Sequence, residues 1–161
     1  MQANLTCGNS GIPLHIIDAQ DFEGWLSSQA KGVQTWLANT KFDLGLSLIP
    51  NADGELEQAI YVSKDSSELF ACADLAKLLP NQAFLLNDND EQQLNVAIAF
   101  GLAQYKFELY KQAESKTATL VLSNQAVLDK ANKFIDATYL VRDMINTPAG
   151  DMMPQHMSKV V

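Results

Sequence analysis

Two histidines, two cysteines and nineteen acidic residues are the side chains that could bind a metal, attack a carbonyl or move a proton. Such chemistry needs its groups at set spacings, because ligands and catalytic atoms must converge on one point. His15 and His156 stand near opposite ends of the chain. His15 alternates with Leu14 and Ile16 as a strand residue does, which reads as a satisfied or edge-exposed side chain. His156, in "MPQHM", reads as solvated. No His-Glu-x-x-His, paired histidines, Cys-x-x-Cys, Gly-x-Ser-x-Gly elbow or Gly-x-x-x-x-Gly-Lys phosphate loop occurs. Cys7 and Cys72 lack metal-type spacing and read as free thiols in a reducing cytoplasm. Cys72, inside the apolar run "LFACADLAKLL", reads as a buried structural thiol.

The carboxylates are as uncommitted. "NDNDE" (Asn87–Glu91) lacks the glycine and distant glutamate of a calcium loop and stands where a helix begins, so capping explains it better. "DGELE" (Asp53–Glu57) reads as a solvated turn, and "GNSG" (Gly8–Gly11) is too short for a nucleotide loop. Trp25 and Trp36, eleven apart, could share a helical face and read as core or interface packing. No catalytic, cofactor-binding or metal residue is assigned to this chain.

Composition narrows the class. The 161 residues are 47% hydrophobic and 19% charged, values of one globular domain with a real core. A net charge of -8 and a single arginine, Arg142, oppose a nucleic-acid or anionic-membrane partner. No apolar run reaches the length of about 20 residues that a membrane span needs. The N-terminus has neither the basic nor the apolar part of a signal peptide, and the "NLT" sequon at Asn4–Thr6 has no other sign of secretion beside it.

The elements that must position these residues follow from periodicity. "IPLHIID" (Ile12–Asp18), "DLGLSLI" (Asp43–Ile49), "QAIYVS" (Gln58–Ser63), "QAFLLN" (Gln82–Asn87) and "ATLVLS" (Ala118–Ser123) read as strands. The turn signal Asp53-Gly54 makes the second and third antiparallel neighbours. Helices are expected through "FEGWLSSQ" after Asp21, through "VQTWLANT", and over Ser66–Pro80. A longer one is expected from Asp88 or Asp90 to Lys111, apolar all round its middle, with Gly101 allowing close approach of a neighbour. The last, capped by Ser123 or Asn124, ends before Pro148. Alternating strands and helices around a hairpin predict an α/β domain: a mixed sheet with helices on both faces.

Two segments carry a resemblance. "AFGLAQYKFELYK" (Ala99–Lys111) and "ATYLVRDMINTPAGDMMPQHM" (Ala137–Met157) resemble the leucyl (cytosol) aminopeptidase family. Its members carry a "G-x-x-x-Y-x-F-x-x-Y-K" helix and an "A-R-D-L-I-N-T-P-A-N-D-M-x-P" segment where an N-terminal domain meets the catalytic one. Arg142, Asp143, Ile145, Asn146, Thr147, Pro148, Ala149, Asp151, Met152 and Pro154 match that segment. Met144 and Gly150 replace its leucine and asparagine, and Val141 stands where alanine is common.

The resemblance implies a macro-domain-like, non-catalytic N-terminal domain over residues 1–145 and a junction to an absent catalytic domain over 146–161. It implies a cytoplasmic, typically hexameric metallopeptidase that removes N-terminal residues such as leucine from peptides with two zinc or manganese ions. Those metals belong to the absent domain, with the "N-T-D-A-E-G-R-L" motif that this chain lacks. Arg142 and Asp143 are expected to serve helix-end charge and interdomain hydrogen bonding. The alternative is a free-standing nucleotide-binding or regulatory module.

Overall fold

Apolar strands flanked by amphipathic helices need two faces of cover, and the chain supplies them. In a computed structural model, which describes residues 3–86, 88–107, 117–148 and 150–151, eleven elements follow one another. They are β1 (Leu5–Cys7), β2 (Ile12–Asp18), α1 (Phe22–Ser27), α2 (Lys31–Asn39), β3 (Gly45–Pro50) and β4 (Leu56–Ser63). Then come α3 (Leu75–Leu78), β5 (Ala83–Leu86), α4 (Asp90–Ala103), β6 (Thr119–Leu122) and α5 (Gln125–Asn146).

The strands form one sheet in the order β1-β6-β5-β2-β4-β3. All neighbours are parallel except β3, which runs antiparallel to β4 at the edge. Their hairpin turns as the sequence predicts. Asn51 Oδ1 accepts from the amides of Asp53 and Glu55, each at 2.9 Å, and Gly54 takes a positive φ of 83° that only glycine adopts cheaply.

Strand alternation sorts the core into two layers. Leu14, Ile16, Ala59, Tyr61, Phe84, Leu86, Leu120 and Leu122 face α3, α4 and α5. Ile49, Ile60 and Val62 face Phe22 of α1 and Val33 and Leu37 of α2. These last two helices form despite Gly24 and Gly32. Helix α4 is buried on several sides, as its composition predicts. At Gly101 a Cβ would stand 3.0 Å from Ile135 Cγ1 and closer still to its Cδ1, so only glycine lets α5 sit where it does.

Several expectations are corrected. Strand β1 has no counterpart among the strands expected from periodicity. The expected helix over Ser66–Pro80 contracts to the four residues of α3. Local bonds claim the backbone ahead of it: Asp18 Oδ1 accepts from the Ser66 amide at 2.6 Å, Asp65 binds Ser67, and the Tyr61 hydroxyl donates to the Ala71 carbonyl at 3.0 Å. Helix α4 ends at Ala103 rather than Lys111, and 108–116 lie outside the described residues. Its cap is Asn89, whose Oδ1 accepts from the Gln92 amide at 3.0 Å, not Asp88 or Asp90. The tryptophans sit on different helices: Trp25 packs on Phe22, while Trp36 is exposed.

Cys72 is buried, and burial, with a smaller effect of Asp18, pushes its thiol up to about 12. The thiolate is the reactive form. Cys72 is therefore expected to stay unalkylated in folded protein at pH 8 and to react fully in denaturant. Peptide mass spectrometry after iodoacetamide checks this, and rapid native labelling would contradict the burial.

Candidate functional site

The last four carbonyls of a helix have no partner within it. At the end of α4 two of them are met by side chains of α5. The Tyr139 hydroxyl donates to the Gly101 carbonyl at 2.5 Å, and the Arg142 guanidinium donates to the Leu102 carbonyl at 2.8 Å. A cation beside a helix C-terminus also complements its dipole. Just past the helix, Tyr105 donates its hydroxyl to Asp143 Oδ1 at 2.7 Å and accepts from Asn146 Nδ2 at 3.0 Å. Its ring lies 5.2 Å from that of Tyr139, and the Arg142 guanidinium carbon stands 5.2 Å from its centroid. Burial pushes the Tyr139 phenol up to about 12, so it stays a donor at physiological pH.

Tyr139, Arg142, Asp143 and Asn146 are spaced i, i+3, i+4 and i+7, which puts them on one face of α5. The chain then leaves the helix under control: Thr147 donates its amide and its hydroxyl to the Asp143 carbonyl, at 2.9 and 2.6 Å. Gln104 Oε1 accepts from the Asn4 amide at 2.8 Å, tying the start of β1 to the same corner.

The two segments singled out in the sequence are thus one clamp. The i, i+3, i+4, i+7 spacing is a signal in the sequence that the four share a face, though not of what that face meets. The resemblance implies helix-end charge and interdomain bonding for Arg142 and Asp143; within this chain Arg142 meets the end of α4 and Asp143 meets Tyr105. Met152, Pro154 and His156 lie outside the described residues, as does Ala149. Replacing Arg142 by alanine is expected to lower the unfolding free energy by about 2 kcal/mol, as befits a charged donor on a carbonyl. Lysine should restore little, because a compact ammonium lacks the planar stacking group. Urea denaturation of both variants measures this.

Two of the hollows among the described residues stand beside groups that could orient a ligand. The connections after β2 and β5 leave in opposite directions, and open α/β sheets bind ligands at such a point. A hollow of about 210 Å³ there is lined by Ser66, Ser67, Asn89, Glu91, Gln92 and Asn95. Half of its side chains bond to the protein itself: Ser67 donates to Asp65, Asn89 accepts from the Gln92 amide, and Gln92 Nε2 donates to the Ile16 carbonyl at 3.3 Å. Asp90 and Glu91 make the start of α4 acidic where a phosphate would need positive charge.

On the opposite face, a groove of about 330 Å³ is lined by His15, Trp25, Leu85 and Asp88 among others. His15 stands 5.7 Å from Trp25, ring to ring. Burial lowers the His15 pKa, against the opposing pull of Asp88 and Gln58. Burial raises that of Asp88, against the pull of His15. A depressed folded pKa contributes stability above the unfolded value near 6.5 that is lost as pH falls through the folded one. The raised pKa of Asp88 acts the opposite way at lower pH. His15→Gln should therefore flatten the fall in melting temperature between pH 7 and 5, and parallel curves for variant and parent would refute it.

Among the described residues, no three His, Cys, Asp or Glu side chains gather to hold a metal, so they do not fit a two-metal centre.

The family model "M17 aminopeptidase, N-terminal domain" matches residues 12–123. No curated protein sequence matches this chain. Among solved structures, the cytosol aminopeptidase of Coxiella burnetii is 29% identical with a TM-score of 0.85, covering 96% of this chain and 35% of its own. The bottromycin maturation enzyme BotP is 17% identical with a TM-score of 0.64, covering 98% of this chain and 36% of its own. A tomato leucine aminopeptidase variant is 15% identical with a TM-score of 0.60, covering 98% of this chain and 41% of its own. The last two show the shared fold alone. This chain spans between about a third and two fifths of the length of these proteins. The chain belongs to the M17 aminopeptidase family and carries its N-terminal domain.

Proposed function

We propose that this chain is the non-catalytic N-terminal part of a cytoplasmic, metal-dependent aminopeptidase that removes N-terminal residues from peptides. Its role is architectural: it braces a catalytic domain, shapes access to that domain's two zinc or manganese ions, and supports a hexamer. The observation that carries this reading is the clamp. The helix that runs into the segment matching the family's interdomain junction is bonded over its last turns by four side chains, Tyr139 and Arg142 to the end of α4 and Asp143 and Asn146 to Tyr105 just past it. A last helix braced in this way suits a domain whose task is to support a neighbour.

The test is the intact mass of the endogenous protein together with its activity. A polypeptide much heavier than 17.7 kDa should hydrolyse leucine p-nitroanilide with manganese or zinc and lose that activity to a chelator. The 161-residue chain alone should not hydrolyse it. An endogenous species of 17.7 kDa, or a heavier one inactive with either metal, would sink the reading.

A further inference from the structure

Helix α5 buries Ala131, Ile135 and Tyr139 against α4 and the sheet, yet an adjoining flank is apolar and bare. Phe134 is 53% exposed, Val141 53% and Ile145 76%. Their spacing of seven and then four residues stacks them along one side of the helix. Ala137 and Thr138 lie between them, and the Thr138 hydroxyl donates to the Phe134 carbonyl at 2.8 Å, so it asks nothing of a partner. Exposed apolar side chains are ordinary singly, whereas a row of them on one rigid element marks an interface. The rigidity comes from the clamp, which pins the turn carrying Ile145.

We propose that this flank of α5 is the seat of the catalytic domain of the same polypeptide, with Ile145 and Val141 at its centre and Phe134 at its far end. The proposal rests on the parent-enzyme reading above. Its occupant follows from chain continuity. The family match is to an N-terminal domain, and the bacterial cytosol aminopeptidase aligned over 96% of this chain is covered over only 35% of its own length. In such a parent, α5 is the element from which the chain passes to that body. The flank at the end of that helix is then the nearest apolar surface the body can cover.

The test compares the parent protein with this chain by carbene footprinting and residue-level mass spectrometry. Phe134, Val141 and Ile145 should be labelled freely in the 161-residue chain and several-fold less in the parent. Ile145→Glu should leave the melting temperature of this chain unchanged and lower that of the parent. Equal labelling in both proteins would overturn the docking proposal while leaving the parent enzyme intact as a reading. Protection of this chain that grows with its own concentration would overturn it in favour of self-association. An endogenous mass of 17.7 kDa would overturn the parent reading, and this proposal with it.

Discussion

Replacing Phe84 by alanine is expected to lower the unfolding free energy by about 4 kcal/mol, as large-to-small changes at fully buried aromatic sites do. Phe84 has no exposed surface and sits on β5 between β2 and β6, opposite Ile12 and Leu120. Backbone bonding on both sides stops the strand from closing over the space left behind. The cost therefore includes the cavity as well as the lost transfer of the ring from water. Domains of this size are stable by about 5–15 kcal/mol, so the variant should be partly unfolded near body temperature if the domain lies at the low end. Urea titration measures the effect as a lower midpoint at unchanged slope. Phe134→Ala, at an exposed site, is the control and should change stability by less than about 0.5 kcal/mol. A Phe84→Ala loss no larger than that control would mean the core around β5 is not packed as described.

Placing valine at Gly101 should cost about 3 kcal/mol, the upper range for overpacking a filled core. The new side chain would collide with Ile135 and press on Ala3, whose Cβ lies 3.3 Å from the site of the added atom. It would also drive α5 off α4, stretching the bond from Tyr139 to the Gly101 carbonyl. A double-mutant cycle isolates this cause. Ile135→Ala alone is destabilising, yet combined with Gly101→Val it should cost less than the sum, because the truncated side chain makes room for the valine. Strict additivity would show that Gly101 is required for some reason other than its contact with Ile135.

Much of this fold is legible in the residues, and what escapes does so for physical reasons. Strands β2, β4, β5 and β6 announce themselves as apolar runs, and the hairpin through its Asp-Gly turn. Strand β1 does not, since three residues carry no period; it exists because β6 offers it an edge. The helical spacing from Leu69 to Leu79 is real, but Asp18, Asp65 and Tyr61 are better partners for the backbone before Leu75 than a helix would be. Periodicity counts apolar faces and cannot weigh those bonds. At the clamp, the motif matches mark both segments without revealing that they touch. Contacts such as Tyr105 to Asp143 depend on how two helices cross, which neither segment specifies alone.

The place of β1 has a consequence for how the molecule is made. Leu5 pairs with Leu120, so β1 leaves the ribosome well before the strand it needs. At ordinary translation rates that wait is on the order of ten seconds. Until β6 arrives, β5 presents an open parallel edge, the kind of surface on which nascent chains stick to one another. Strand β6 then inserts between the two that were waiting, and α5 follows immediately to cover it. Assembly of this domain is therefore gated late, by the same stretch of polypeptide that ends in the clamp.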